Sequence, residues 1–505
     1  MREIRLKSGQ RLTPAALERT SALPREIMDA AEKIVDAVRE GGDQAVRDFC
    51  LEFDGACPDA FRVPDEVVDA APSMVDPAFM KALEQAAAQI REFHEREREQ
   101  SWFTTRDDGT ILGVKVTPLP SVAVYVPGGR AQYPSTVLMD AIPAKVAGVR
   151  RIVMVTPPQK DGSLSAYTLA AAKVAGVDEV YAVGGAQAVA AVAYGTETIP
   201  KVAKIVGPGN AYVAAAKRYV SGDVGIDMVA GPSEVCVLAD SSAHASIVAA
   251  DLMAQAEHDP LATCYLVTTD PTLPERAAAA AELLLSQSPR EDITRASLEH
   301  ALVVVTPELD AAIDAVNLIA PEHLELHCDG AFDLLGRIEN AGAIFVGPWS
   351  SEPLGDYVAG PNHTLPTGGT ALFSDPLGVY DFCKRSSVIA YTPEGLRRDA
   401  PAVKTLAQAE GLWAHALSVG MRERLLDAGG SGLAGFLSTC ADAMSCAWPT
   451  RLSKPGVPNI AATTAAEKSA PAASAPAAAD GDTTAPDAGA GATDAPTTDG
   501  AGEAR

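Results

Sequence analysis

The chain has 505 residues, of which 47% are hydrophobic, and a formal net charge of −25 at pH 7. This length and apolar content predict a soluble protein with two or three domains. The negative charge argues against nucleic acid or an anionic membrane as a partner, because both require clustered Lys and Arg. The sequence shows no apolar signal segment and no run of about 18 apolar residues, so we expect a cytoplasmic protein.

The N-terminal part of the chain has the periodicity of helices. Between residues 15 and 100, apolar positions recur three and four residues apart, which is typical of amphipathic helices. We therefore predict a helical segment over residues 1–110. His94 lies in the charged run REFHEREREQ, which predicts a solvated helix face.

From residue 121 onward, short apolar runs alternate with helical stretches. Continuous apolar strands separated by helices indicate a parallel sheet with helices on both faces. Two such sets follow one another, so the predicted fold class is α/β, with two successive Rossmann-like, doubly wound parallel-sheet units. The predicted strands are SVAVYVP, RIVMVTP, EVYAVGG and KVAKIVG in the first set, and SEVCVLAD, TCYLVTT, ALVVVTP and GAIFVGP in the second. The predicted helices span residues 136–148, 165–175, 186–194, 243–257, 274–286 and 308–319.

Composition and periodicity divide the chain into five segments. Beyond residue 456, Ala, Pro, Thr, Gly and Asp dominate, and such a tail buries too little apolar surface to fold. We expect an N-terminal helical segment (1–110), a first Rossmann-like domain (111–232), a second Rossmann-like domain (233–380), a C-terminal helical segment (381–455) and a disordered tail (456–505).

Three glycine-rich loops follow predicted strands of the first set: YVPGGR, VGGAQA and VGPGNAY. Ligands of such sheets bind at the carboxyl ends of strands, where glycine permits positive φ or close backbone approach. The last two loops open onto helix N-termini that could receive a phosphate. Although none matches GxGxxG and one such loop is usually only a turn, three together favour a nucleotide site. Its polar side chains would be Tyr125, Gln187 and Asn210.

The stretch DLMAQAEHDP places Gln255 and His258 three residues apart near a predicted helix end, and therefore on one face. A carboxamide oxygen and an imidazole nitrogen can form half of a divalent-cation site without a thiolate. Taken alone, such a pair is more often a solvated helix end. The eight cysteines include no CxxC pair, and none is expected to act as a nucleophile.

Further acid-base and ligand-type residues follow. In LIAPEHLELH, Glu322 and His323 are adjacent, so on a helix they would point about 100° apart and suit two separate proton transfers. A helix start with Pro321 at its first position would account for the glutamate through the helix dipole, but not for the histidine. His244, His300 and His327 have no such neighbours and are interpreted as ordinary polar positions.

The remaining candidates lie further along the chain. Asp356 is a hard oxygen ligand in the long loop EPLGDYVAGPNHTLPTGG, which also carries His363. Glu410 and His415 lie in a predicted helix over residues 401–427. The sequence thus offers Gln255, His258, Asp356 and His415 as oxygen and nitrogen ligands.

These motifs together resemble the histidinol dehydrogenase family from about residue 5 to residue 446. The motifs that carry the resemblance are YVPGG, GGAQA, GPGNAYV, AGPSEV, DLMAQAEHDP, APEHLEL, GDYVAGPNHTLPT and EGLWAH. This resemblance implies that the protein oxidises L-histidinol through L-histidinal to L-histidine with two NAD molecules. It also implies a homodimer in which each active site borrows residues from the partner chain.

The resemblance assigns roles to individual positions of this sequence. It implies one zinc ion per subunit, held by Gln255, His258, Asp356 and His415, and an acid-base pair formed by Glu322 and His323. It further implies substrate contacts from Ser233, His323 and Glu410 besides the metal ligands, and cofactor contacts from Tyr125, Gln187 and Asn210.

Three alternatives stay open at this point. One is a dehydrogenase of the same family that oxidises another polar alcohol, such as a sulfonated diol. Another is a zinc hydrolase, since a metal, a glutamate and a histidine also suit attack by water. The third, a purely structural metal cluster, is disfavoured because structural zinc sites are rich in cysteine.

Overall fold

The structure is a computed structural model that describes residues 1–17, 23–128 and 133–429. The chain forms two compact units, Met1–Gly395 and Leu396–Arg505. The predicted tail over 456–505, and the part of the C-terminal segment after residue 429, lie outside the described residues. None of the described helices is long and apolar enough to cross a membrane.

Helices dominate the N-terminal region, but it begins with a strand. The strand β1 covers Arg2–Arg5 and is followed by three helices. The long helix α1 contains a kink at Gly42, whose φ of 56° and ψ of −140° are not helical. The helices are α1 (Arg25–Phe53), α2 (Asp65–Ala70) and α3 (Pro77–Glu95).

A five-stranded parallel sheet forms the first Rossmann-like unit, with strand order β6-β5-β4-β7-β8. Its central strands are completely buried, which is why their sequences are continuously apolar. The helices α1 and α3 of the N-terminal region pack on this unit. Its elements are β4 (Val122–Tyr125), α4 (Pro134–Ala147), β5 (Ile152–Thr156), α5 (Ala166–Ala175), β6 (Glu179–Ala182), α6 (Gly185–Tyr194), β7 (Lys204–Val206), α7 (Ala211–Val220) and β8 (Gly225–Ile226).

The second parallel sheet repeats this strand order and gains one strand from the N-terminus. Its order is β1-β11-β10-β9-β12-β13, in which β1 pairs in parallel with β11. In each sheet, three successive strands add in one direction, and the next strand in the chain then pairs with the free side of the first of these three. The strand order therefore reverses between β4 and β7 in the first sheet and between β9 and β12 in the second. The elements are β9 (Glu234–Ala239), α8 (Ala245–Ala256), β10 (Thr263–Thr268), α9 (Leu273–Leu285), α10 (Glu291–Glu299), β11 (Leu302–Val305), α11 (Leu309–Ile319), β12 (His323–His327) and β13 (Ala343–Val346).

The two sheets confirm the predicted fold class, and the compact unit Met1–Gly395 also contains a third sheet of three strands. β2 (Trp102–Thr105), β3 (Ile111–Pro118) and β14 (Cys383–Ala390) form an antiparallel sheet that the sequence did not predict. The short helix α12 (Glu352–Tyr357) follows β13.

The described part of the compact unit that begins at Leu396 is helical, with one break between two helices. The predicted single helix over residues 401–427 is instead two helices, α13 (Pro393–Ala409) and α14 (Trp413–Asp427). Between them Gly411 adopts a φ of 74°, a left-handed conformation that ends a helix.

The prediction for His94 was wrong. This residue is fully buried at the end of α3, and its Nδ1 lies 2.7 Å from Oε2 of Glu97. Charged residues surround His94 in the sequence, but His94 itself lies on the buried, otherwise apolar face of α3.

Candidate active site

Glu322 and His323 lie at the start of the buried strand β12, not on a helix. The preceding helix α11 ends at Ile319, and Ala320 takes a left-handed φ of 44° before Pro321 redirects the chain. His323 is then the first residue of β12, between β9 and β13. The expectation of a helical geometry for this pair was therefore wrong, because its apolar neighbours belong to a buried strand.

The ring of His323 is oriented by the neighbouring strand. Its Nδ1–H donates to the backbone carbonyl of Glu234, the first residue of β9, at 3.0 Å. The opposite nitrogen, Nε2, lies 3.7 Å from Oδ1 of Asp356 and has no hydrogen-bond partner among the described residues. Burial lowers the pKa of His323, but the carboxylates of Glu322 and Asp356 outweigh it and raise this pKa to about 10.

Glu322 is a buried carboxyl group beside this imidazole. Its Oε2 accepts the backbone N–H of Glu234 at 2.8 Å and lies 3.8 Å from Nδ1 of His323. Burial raises the pKa of Glu322 to about 8, although the adjacent His323 opposes this shift. A carboxyl group that titrates near neutral pH can both accept and return a proton.

Helix α8 delivers two further candidates to the same region. Gln255 lies in its last turn and is fully buried, yet neither atom of its amide has a hydrogen-bond partner in the described part of the chain. His258 follows the helix end, and its backbone N–H donates to the carbonyl of Gln255 at 3.2 Å. A fully buried amide without partners is costly unless a ligand satisfies it.

Asp356 and a second carboxylate approach His258 from helix α12. The ligand atoms of His258, Glu352 and Asp356 lie within 4.8 Å of one another. Burial raises the pKa of Asp356, but the neighbouring His323 outweighs it and lowers this pKa overall. The sequence analysis missed Glu352, which is 1% exposed. Its spacing of four residues from Asp356 was the available signal, since a helix places both on one face.

A cavity of about 550 Å³ opens beside these groups. It is lined by polar residues of the site and by apolar residues of β13 and α12, including His323, Asp356, His363, Phe345 and Leu354. The Nδ1–H of His363 donates to the backbone carbonyl of Asp356 at 3.1 Å. The cavity is large enough for a small polar molecule, and His323 forms part of its wall.

Comparison with known proteins assigns the chain to a family. The profile of the histidinol dehydrogenase family matches residues 17–423. The chain belongs to the histidinol dehydrogenase family. This confirms the resemblance seen in the sequence and makes the chain an oxidoreductase of the dehydrogenase class.

Individual histidinol dehydrogenases resemble the chain over most of their length. The enzyme of Halalkalibacterium halodurans is 50% identical over 395 residues, which cover 78% of this chain and 93% of that protein. That of Bacillus subtilis is 52% identical over 392 residues, or 77% and 92% of the two chains. The crystal structure of histidinol dehydrogenase from Elizabethkingia anophelis has a TM-score of 0.80 at 33% identity and covers 85% of this chain and 99% of that one.

In this histidinol dehydrogenase family member, the first sheet carries the three residues predicted to contact a nucleotide. The hydroxyl of Tyr125, at the carboxyl end of β4, accepts the backbone N–H of Gly185 at 3.0 Å. Asn210 caps helix α7, because its Oδ1 accepts the backbone N–H groups of Tyr212 and Val213. Gln187 is 1% exposed, and its Oε1 has no hydrogen-bond partner among the residues that the structure describes.

Internal packing accounts for glycine in these loops. Gly207 adopts a φ of 109°, and a Cβ there would lie 2.2 Å from the carbonyl oxygen of Tyr125. A Cβ on Gly184 would lie 2.4 Å from Cβ of Pro157. Both glycines are therefore required by contacts between loops, whether or not a nucleotide binds. Gly129 and Arg130 of the first loop lie outside the described residues.

The remaining candidates lie at separate places in the chain. Ser233 immediately precedes β9 and is half-buried, and its carbonyl accepts the backbone N–H of Thr263 at 2.9 Å. Glu410 and His415 belong to the second compact unit, where both are exposed around the start of α14.

Proposed function

We propose that the chain oxidises L-histidinol through L-histidinal to L-histidine, with two molecules of NAD reduced in turn. One observation carries this proposal. His323 lines a cavity and lies beside the ligand-type group of His258 and Asp356, and its Nε2 is buried without a hydrogen-bond partner in the described residues. This arrangement joins a proton acceptor to a site for a polar substrate, as an alcohol dehydrogenase requires.

The residues present fit a zinc ion. Gln255 offers a buried amide oxygen without a hydrogen-bond partner in the described chain, while His258 and Asp356 offer an imidazole nitrogen and a carboxylate oxygen. Such nitrogen and oxygen donors suit Zn²⁺ without cysteine. Bound there, zinc would supply positive charge that orients the imidazole and amine of the substrate and favours loss of a proton nearby.

In the first oxidation, His323 acts as the general base. The carboxylates of Glu322 and Asp356 raise the pKa of His323 to about 10, so zinc bound at Asp356 would have to offset this negative charge for the ring to be neutral. Because its Nδ1–H is held by the carbonyl of Glu234, Nε2 of the neutral ring then carries the lone pair that accepts the hydroxyl proton of the substrate. The carbon-bound hydrogen leaves as hydride to NAD. The products are the aldehyde, NADH and one proton, which His323 passes to water.

In the second oxidation, Glu322 activates water. Its carboxylate accepts a proton from a water molecule as the oxygen of that water adds to the aldehyde carbon, and it then returns the proton to the aldehyde oxygen, which gives the neutral hydrate. His323 then takes a hydroxyl proton from this hydrate as a second hydride leaves to NAD, and the carboxylic acid forms. The buried Glu322, with a pKa of about 8, suits a group that takes up and returns one proton per cycle.

Substrate and cofactor contacts complete the proposal. Ser233, next to Glu234 at the amino end of β9, would contact the substrate together with the metal ligands and His323. Tyr125, Gln187 and Asn210 would contact NAD at the carboxyl edge of the first sheet, where the strand order reverses between β4 and β7. Doubly wound sheets bind nucleotides at such a reversal.

We further propose that the active enzyme is a homodimer with shared sites. Gln255, His258 and Asp356 provide three ligands, and His415 of the partner subunit would provide the fourth. Glu410 of the partner subunit would hold the charged part of the substrate. Biosynthesis of histidine in the cytoplasm, with no nucleic acid or membrane as a partner, agrees with the composition of the chain.

Measuring the NADH formed per histidinol consumed by zinc-loaded protein tests the function. Two successive oxidations predict a ratio of about two. A ratio near one would limit the enzyme to the first oxidation. No NADH, under conditions in which the protein is folded and contains zinc, would contradict the proposal.

A further inference from the structure

A second buried polar cluster lies between β12 and α8. The side chains of His323, Glu325 and His327 alternate with leucines along β12 and therefore share one face of the sheet. Asp251 lies one turn before Gln255 on α8. At the far end of β12 from His323, these two elements bring Asp251, Glu325 and His327 together, and we call these three residues the second cluster.

The second cluster is almost completely shielded from solvent. Asp251, Glu325 and His327 are 6%, 0% and 4% exposed. Nε2 of His327 lies 3.3 Å from Oδ2 of Asp251 and 3.4 Å from Oε2 of Glu325. All three ligand atoms lie within 4.8 Å of one another.

These distances differ from those of hydrogen-bonded ion pairs. Charge-assisted N–H···O bonds measure about 2.7–2.9 Å. In the described chain, Oδ2 of Asp251, Oε2 of Glu325 and both ring nitrogens of His327 have no hydrogen-bond partner. Polar atoms so deeply buried are normally satisfied by a partner, an ordered water or an ion.

The distances agree with those between ligands of one metal ion. Zinc bonds of about 2.0–2.1 Å arranged as a tetrahedron place neighbouring ligand atoms about 3.3–3.4 Å apart. The two distances from Nε2 of His327 match this value. With both carboxylates ionised and the imidazole neutral, the second cluster carries a charge of −2, which a divalent cation would neutralise. Burial raises the pKa of Glu325 and so disfavours this charge when no cation is bound.

We propose that Asp251, Glu325 and His327 bind a second divalent transition-metal ion of the zinc class. This site is separate from the one proposed at Gln255, His258 and Asp356, and it does not depend on the proposed reaction. Because its ligands come from α8 and β12, the ion would fasten the helix that carries Gln255 to the strand that carries His323.

The competing occupant of the second cluster is a proton. Burial lowers the pKa of His327, but Asp251 and Glu325 outweigh it and raise this pKa to about 9. Without a metal the imidazole would therefore be charged and would pair with the carboxylates. The experiment must separate a bound metal from this proton.

The test is the zinc content of the full-length protein after loading with Zn²⁺ and removal of the excess. We expect about two ions per chain in the wild type and about one in His327→Asn and in Asp251→Asn. Asp251→Asn removes a charge with little change of shape. His300→Asn, at an exposed histidine on the end of α10, is the matched control and should retain both ions.

The same measurement on Asp356→Asn separates this inference from the proposed function. If the second cluster binds zinc, Asp356→Asn protein should still contain about one ion per chain, and loss of all zinc would overturn the proposal. Equal zinc content in the wild type and in folded His327→Asn or Asp251→Asn would also overturn it. Unchanged zinc content in Asp356→Asn would instead contradict the site in the proposed function.

Discussion

His323 donates its Nδ1–H to the backbone carbonyl of Glu234, 3.0 Å away on the neighbouring strand β9. A backbone carbonyl can only accept, so this contact fixes the tautomer of the neutral ring. The lone pair of Nε2 is then on the side of Asp356, whose Oδ1 lies 3.7 Å away, and His323 is one of the residues that line the cavity. The orientation of the proposed base thus depends on backbone geometry at the start of two parallel strands.

Replacement of His323 should slow both oxidations. We expect His323→Ala to lower kcat by about 10²–10⁴-fold with histidinol and with histidinal, because general acid-base groups contribute rate factors of this size. Steady-state assays with each substrate measure this. His300→Ala is the control and should behave as the wild type. Loss of activity with only one of the two substrates would contradict a role for His323 in both steps.

Replacement of Glu322 should separate the two oxidations. Glu322→Gln keeps the size of the side chain but removes the carboxylate that activates water. We therefore expect kcat to fall by about 10²-fold or more with histidinal, and by less in the formation of histidinal from histidinol. Single-turnover measurements with each substrate resolve the two steps. Equal losses in both would show that Glu322 has no special role in hydration.

Replacement of Asp356 should act through the metal. In a ligand set without cysteine, the single carboxylate carries a large share of the affinity, so Asp356→Asn should lose activity together with one zinc ion per chain. Zinc content and activity are measured on the same preparation. Asp329→Asn, at an exposed position, is the matched control. Full zinc content without activity would indicate that Asp356 acts in the chemistry instead.

The sequence predicted the regular elements of the two sheets well. The run RIVMVTP became β5 and the run TCYLVTT became β10, each within two residues of the predicted bounds. Such runs are predictable because a strand that is buried on both faces is apolar at nearly every position. The pairing of β1 with β11 was not predictable, since it joins residues about 300 positions apart and leaves no local periodicity.

Buried polar residues were the main failure of sequence-based reasoning. His94 was predicted to lie on a solvated helix face and His327 was interpreted as an ordinary polar position, yet both are almost fully buried. In β12, the sequence HLELH alternates polar and apolar residues, which is also the pattern of a half-exposed strand. Only the packing of α8 against this strand shows that its polar face is buried as well.

The ion pair between Arg151 and Glu179 predicts a pH-dependent contribution to stability. Two hydrogen bonds of 2.8 and 2.9 Å join the guanidinium to the carboxylate at the starts of β5 and β6. Burial raises the pKa of Glu179, but Arg151 and Tyr181 outweigh it and lower this pKa overall. A carboxyl group with a lowered pKa stabilises the fold at neutral pH and loses this contribution as the pH falls through its folded-state pKa.

Glu179→Gln should accordingly be less stable than the wild type at pH 7, by about 1 kcal/mol because the pair is partly exposed. The difference in the free energy of unfolding should vanish as the pH falls below the usual pKa range of glutamate. Denaturant unfolding at several pH values measures it. A difference that stays constant down to pH 3 would mean that packing, not charge, causes the loss.

A zinc site shared between two subunits would allow two inactive variants to complement each other. If His415 of the partner subunit completes the zinc site formed by His258, then His258→Ala and His415→Ala proteins are each inactive, but a mixed dimer has one intact site. That site combines His258 of the His415→Ala chain with His415 of the His258→Ala chain, while the other site carries both lesions. After subunit exchange at equal amounts, about half of the dimers are mixed, so activity should reach about a quarter of the wild-type value.

A matched control distinguishes complementation from partial recovery of either variant. His258→Ala mixed with Asp356→Ala combines two lesions on the same side of the proposed site, so every site in a mixed dimer carries at least one lesion and activity should stay absent. Mass spectrometry of isotope-labelled chains measures how many mixed dimers form. Mixed dimers of His258→Ala and His415→Ala without activity would mean that His415 serves its own chain. Each zinc ion would then be held within one subunit, and dimer stability would no longer depend on zinc through this histidine.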